Sequence, residues 1–359
     1  MKKLGFAIVL LAALFATVTF TACGDDDDAE GTPGPTAISA TGADVSTTPG
    51  PPDEVTFMAG FKPQANLPFV GAYVAQEKGF FTDENLAVEI QHVATPGDNF
   101  RLLATGQVQF STADATALLE KWTSDPVIEV VSLALIGQTG QQGFAVLADS
   151  GIDTPAGWVG KTAGYKGSDV TPDYLAILEA NGLERSDVEE VRVGFEPQLL
   201  TEGVVDIFPV FIANEPDTLR SLGFETRVFT AADYGAPTLG LSYVTTREYA
   251  EENPEITARF TRAVLRGVAY ADANREEAID IVLQYAPQED PDHQRYMLDT
   301  ELEMAQPMPF YEHLGLGAQT LSQWQALHDY LIEHDGLPRA IPDVSVVFTE
   351  DFKAYDGGG

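Results

Sequence analysis

The chain has 359 residues, 55 of them acidic and 20 basic, giving a formal net charge of −35. That balance excludes a nucleic-acid-binding surface, which needs a basic face, and disfavours polyanionic ligands and adhesion to anionic lipid. With 44% hydrophobic residues there is material for a large core, enough for two domains, and with one cysteine no disulfide can form within the chain.

That cysteine, Cys23, follows Met1-Lys2-Lys3, an apolar run over 4–20 and Thr21-Ala22, and it precedes Gly24 and four aspartates. A short basic start, an apolar stretch too short to span a membrane and small residues before the cut describe a secretory leader over 1–22. The cysteine at the cut makes it a lipoprotein signal, in which the thiol takes diacylglycerol. Phe20 stands where leucine is usual in such signals. The expectation is an exported protein, lipid-anchored at the outer face of the bacterial cytoplasmic membrane. Residues 23–53, acidic and rich in Gly, Pro, Ser and Thr without apolar periodicity, read as a disordered tether.

From residue 54 the pattern alternates. Strands are expected over 55–59, 87–93, 107–112, 127–136 and 143–148, with helices over 71–79, 99–105 and 114–122, the last capped by Thr112 or Asp114. The alternation continues with strands over 162–165, 190–195, 205–212 and 225–230 and helices over 173–180, 198–201 and 216–221. This is the signature of open α/β sheets. After a strand over 239–245 the chain turns helical, over 247–251, 254–285, 293–304 and 318–334, suggesting a layer that packs back on the first domain.

Catalytic and metal motifs are missing. Gly160-Lys161-Thr162 resembles the end of a phosphate-binding loop, but Pro155 stands where that loop needs glycine. The five histidines make no metal-ligand spacing, and there is no G-x-S-x-G elbow. Carboxylate pairs carry little information among 55 acids.

Phe61-Lys-Pro-Gln-Ala-Asn66-Leu-Pro-Phe69, continuing to Tyr73 and Gly79-Phe-Phe81, resembles the first loop and helix of one group of solute-binding proteins. These serve ABC importers for alkanesulfonates, nitrate and the thiamine pyrimidine precursor, and a related branch takes riboflavin. Further landmarks follow in order: Leu103-Ala-Thr-Gly106, Val108 to Asp114, Gly160 to Tyr165, Gly203-Val-Val-Asp206, Asn214-Glu215, Asp233 to Pro237 and Tyr249 to Pro254. The resemblance implies a type II periplasmic-binding-protein-like fold: two α/β lobes joined by two crossover strands, lobe one over 54–148 and 246–359, lobe two over 149–245. It implies a monomer that hands a small molecule to an ABC permease, with no catalytic residue, cofactor, metal or nucleic acid.

In such a fold the ligand lies in the cleft, at strand carboxyl ends and helix amino ends. Those positions select Asn66, Phe69, Thr112, Asp114, Gln138, Tyr165, Ser168, Asp169, Asn214 and Glu215 as ligand-binding candidates, and Cys23 as the lipid attachment site. Each candidate also has a plainer role: Phe69 as core, Asn66 as turn, Asp114 as helix cap, Glu215 as first-turn charge. Among these candidates and their neighbours only Lys166 is cationic. Carboxylate acceptors beside an aromatic face suit a neutral or amino-bearing heteroaromatic ring, which favours the vitamin branch, pyrimidine precursor or riboflavin. The alternatives are an alkanesulfonate- or nitrate-type anion-binding protein and a thiamine-pyrimidine synthase-like enzyme. Against the synthase, the position matching its consumed histidine is Phe69, and its cysteine cluster is absent.

Overall fold

The computed structural model describes residues 50–95, 97–305 and 315–352, so the leader, Cys23 and all but the last few tether residues lie outside the described residues. The first part runs β1 (Asp53–Ala59), α1 (Leu67–Glu77), α2 (Phe80–Asp83), β2 (Leu86–His92), α3 (Asp98–Ala104), β3 (Phe110–Asp114), α4 (Ala115–Thr123) and β4 (Val130–Leu135). The second part runs β5 (Gln142–Leu147), β6 (Thr162–Tyr165), α5 (Pro172–Ala180), β7 (Glu189–Arg192), α6 (Gln198–Thr201), β8 (Phe208–Phe211), α7 (Glu215–Ser221) and β9 (Thr226–Phe229). The chain closes with β10 (Leu241–Thr246), α8 (Arg247–Glu252), α9 (Pro254–Ala273), α10 (Arg275–Tyr285), α11 (Pro291–Met304) and α12 (Leu321–Glu333).

The first sheet has the order β2-β1-β3-β10-β4. β1 is parallel to both neighbours, in register from Asp53 opposite Leu86 to Ala59 opposite His92, and β10 is antiparallel to β3 and β4. A second sheet, β8-β5-β9, is antiparallel; the parallel pair β6-β7 joins it through a bridge from Ala163 to Ile207. β5 was expected with the first lobe and β10 with the second. Their hydrogen bonds put β5 in the second sheet and β10 in the first. We therefore propose lobe limits at the two crossings, near 137–141 and 237–240, instead of 148 and 245.

The two crossings touch. The Gly240 amide donates to the Gly137 carbonyl at 2.9 Å and the Gly140 amide to Thr238 Oγ1 at 3.0 Å. A Cβ on Gly137 would stand 2.8 Å from the Gly240 Cα, and one on Gly240 would stand 2.7 Å from the Thr139 carbonyl oxygen. Only glycine allows both segments to lie this close.

One core lies between the first sheet and the helices behind it. Phe110 stacks on Phe260 of α9 with ring centres 3.8 Å apart, and Phe57 packs on the same ring. A second core joins α4, α5 and α12 through Leu118, Tyr174, Ile177, Trp324 and Leu331, so it draws on both lobes. The single helix expected over 254–285 is two, α9 and α10. Asn274 leaves helical geometry (φ −136°, ψ 53°) and its side chain donates to the Tyr270 carbonyl at 2.9 Å, the local competition that makes asparagine a helix breaker. No helix among the described residues is long and apolar enough to cross a membrane.

Candidate functional site

The loop after β1 ends at Asn66, whose extended backbone starts α1: its carbonyl accepts from the Phe69 and Val70 amides at 2.8 and 2.9 Å, with Pro68 preset for the first turn. The Asn66 side chain does not cap this helix. It donates to Glu301 of α11, which also accepts the Leu67 amide at 2.5 Å and a bond from Gln141. One turn pair earlier on α11, Gln294 accepts the Ala65 amide at 2.7 Å. Glu301 is 2% exposed, and burial pushes its carboxyl up to about 7 against three hydrogen bonds that favour the ionised form. The positive end of α1 is thus already supplied with a carboxylate by the chain itself.

At the end of β3, Thr112 Oγ1 accepts the Gly60 amide at 3.1 Å and ties the two cleft-side loops together. Asp114 caps α4 by accepting the Thr116 amide at 2.9 Å. Burial pushes its carboxyl up to about 7, and the negative charges of Asp173 and Glu120 add to that. Gln138, in the first crossing, donates to the carbonyls of Leu135 and Ala318 at 3.0 and 2.8 Å and accepts from Gln323 at 3.0 Å, so its side chain clamps the crossing to the C-terminal segment. Phe69 is buried, its ring edge-on to His92 at 5.7 Å.

On the second lobe, half-buried Tyr165 ends β6. Lys166 beside it sets its ammonium 2.8 Å from Glu215 Oε1 and over the rings of Phe195 and Phe208. Glu215 opens α7, is 6% exposed, and takes the Phe211 amide on its other oxygen at 2.7 Å. Ser168 and Asp169 are exposed; Asp169 is bonded by the Val170 amide and by Arg185 at 2.8 Å, which together hold its carboxyl below the usual range. Asn214 Oδ1 lies 3.0 Å from His293 Nε2, and His293 Nδ1 lies 2.6 Å from Asp217, so α11 is bonded to α7 of the opposite lobe.

In the first lobe Asn66 is thus bonded to α11, Thr112 to the loop after β1 and Gln138 to the C-terminal segment; in the second Lys166 pairs with Glu215 and Asn214 meets His293 of α11, while Ser168 and Asp169 are exposed. Reasoning from sequence missed Glu301, Gln294, Gln141 and His293. The seven-residue spacing of Gln294 and Glu301, which puts both on one helix face, was the available signal. Among the described residues no group of three or more His, Cys, Asp or Glu is placed to hold a metal ion.

A family model described as NMT1/THI5 like matches residues 66–278, more than half of the chain. The chain belongs to the NMT1/THI5-like family. Among its relatives, the formylaminopyrimidine-binding protein of Halalkalibacterium halodurans is 27% identical over 95% of this chain and 97% of that protein. The riboflavin-binding protein RibY of Chloroflexus aurantiacus is 29% identical over 96% of this chain and 97% of its own. A 4-amino-5-hydroxymethyl-2-methylpyrimidine phosphate synthase of Legionella pneumophila is 28% identical over 60% of this chain and 69% of that enzyme. Among solved structures, the aliphatic sulphonate binding protein SsuA of Escherichia coli superposes with a TM-score of 0.64 at 14% identity, covering 82% of this chain and 92% of that one. The match establishes for this NMT1/THI5-like chain the two-lobed periplasmic-binding-protein-like fold that the sheet order shows.

Proposed function

We propose that this protein is an extracytoplasmic solute-binding lipoprotein, tethered through Cys23, that delivers a small heteroaromatic ligand to an ABC importer. The ligand class we favour is a thiamine pyrimidine precursor or riboflavin. The observation that carries this choice is the charge of the cleft. The cation expected there, Lys166, is neutralised by Glu215 at 2.8 Å, and the amino end of α1 is satisfied by Glu301. An anion entering such a site would meet carboxylates and find these donors taken, whereas a neutral ring with N–H groups would find acceptors. Two relatives matched along nearly their whole length are named for binding formylaminopyrimidine and riboflavin, which supports the same reading. The synthases match a shorter part of the chain, which speaks against an enzyme.

Titration calorimetry of the purified protein with formylaminopyrimidine, riboflavin, taurine and nitrate tests the reading. One of the aromatic compounds is expected to bind. Glu215→Gln is expected to weaken it more than Phe69→Leu, because a charged acceptor contributes about 1.5–3 kcal/mol and ring stacking roughly 0.5–1.5 kcal/mol. Tight binding of taurine or nitrate with neither aromatic compound bound would overturn the choice of ligand.

A further inference from the structure

We propose that His293 and Tyr296 of α11 latch the two lobes together, and that this grip sets how tightly the protein retains its solute. The effect on affinity rests on the solute-binding reading above, while the latch itself is a property of the free chain.

α11 is fixed to the first lobe. Met297, Leu298 and Leu302 are buried in the core behind the first sheet. Gln294 accepts the Ala65 amide at 2.7 Å, and Glu301 takes the Leu67 amide and the Asn66 side chain. Asp290 caps the helix by accepting the amides of Asp292 and His293, both at 3.0 Å, so the backbone at 293 is set by the helix's own start. α7 is fixed to the second lobe through Leu219, in a core with Ala145, Phe208 and Val210.

Three bonds cross from α11 to the second lobe. His293 sets Nδ1 2.6 Å from Asp217 Oδ2 and Nε2 3.0 Å from Asn214 Oδ1, so one imidazole spans the start of α7. Tyr296, three residues on and therefore on the same helix face, donates its hydroxyl to the Ile212 carbonyl at 3.2 Å. The Arg220 guanidinium lies over its ring at 5.5 Å and bonds Asp217 Oδ1. An asparagine at the start of a helix ordinarily turns its side chain onto the helix's own amides. Asn214 makes no such cap and turns its oxygen to the opposite lobe instead. Asp217 is 6% exposed, and a carboxylate so buried needs partners. It finds one on its own helix, Arg220, and one across the cleft, His293.

Neighbouring residues 293 and 294 thus hold Asn214 of one lobe and the loop before Asn66 of the other. Parting the lobes breaks the first bond and leaves the second. A solute that binds the closed form gains affinity in proportion to the closed fraction. The latch raises that fraction without touching the solute, so its loss should weaken every solute by the same factor.

Small-angle scattering of the purified chain without solute tests the latch, and titration with formylaminopyrimidine and riboflavin tests its effect on binding. His293→Ala is expected to raise the radius of gyration of the free chain. Tyr296→Phe, which loses one hydroxyl and keeps the ring, should raise it less, and it alone decides if His293→Ala does not fold. His293→Ala should weaken each compound that binds by roughly five- to a hundredfold, chiefly through faster dissociation. Asn214→Ala should also weaken binding, and the two together should lose hardly more than His293→Ala alone, because they break the same bond. A radius of gyration unchanged in both His293→Ala and Tyr296→Phe overturns the latch and leaves the transport reading standing. Losses that differ between the two compounds, or that add fully in the His293→Ala, Asn214→Ala pair, put these side chains on the solute and also overturn it. If the variants expand while neither compound binds, the latch stands and the vitamin reading falls.

Discussion

Replacing Glu301 by glutamine should change how stability depends on pH more than it changes stability itself. In the native state the Glu301 carboxyl is raised from 4.5 to about 7 by burial. Between those values the folded chain keeps a proton that the unfolded chain has lost, so stability falls as pH rises. The contribution is fully present below about pH 4.5 and is lost as pH climbs through about 7. A shift of this size corresponds to roughly 3 kcal/mol. Asp114 and Asp173, also raised, act in the same direction, but they remain in the variant and cancel in the difference. Glutamine keeps an oxygen for the Leu67 amide or for Asn66, though not for all three donors. The unmodified protein should therefore be the more stable of the two near pH 5, and its advantage should shrink by about 3 kcal/mol near pH 8. Urea unfolding followed by tryptophan fluorescence at several pH values measures both. A difference that stays constant across the range would refute the claim that Glu301 is buried with its proton held.

Cys23→Ser should release the protein from membranes, because the thiol is the proposed point of attachment; a variant that still fractionates with membranes would sink the lipoprotein assignment. Gly240→Ala should destabilise the protein by about 1–3 kcal/mol, since its new Cβ would stand 2.7 Å from the Thr139 carbonyl oxygen and two backbone segments would have to part. Thermal unfolding measures this, and an unchanged midpoint would show that the crossings are not held as closely as the geometry requires.

Most of the fold was legible because it is written in local signals. The α/β alternation placed nearly every strand, and Asp114 was recognisable as a cap from its position before an apolar helix. The errors have local causes too. α2 is four residues long, too short for a periodicity, and the break at Asn274 depends on one side chain turning back on its own helix. The site was harder to read because its chemistry is non-local. Asn66 was picked out, but the partner that decides its role, Glu301, lies 235 residues away among many other acids. Likewise Lys166 and Glu215 were both visible, while their mutual neutralisation across 49 residues was not. The sequence displays which groups are present; the pairing of charges appears only when the two sheets are brought together.

The contact between the two crossings limits the directions in which the lobes can move. A single connecting strand would act as a swivel, free to bend and to spin. Two strands bonded side by side, Gly240 to Gly137 and Gly140 to Thr238, behave as a ribbon. A ribbon bends easily across its flat face but resists twist and in-plane shear, which would break those bonds. Movement that preserves them is confined to bending across that face, while the bonds from His293 of α11 to Asp217 and Asn214 bridge the lobes at a second place.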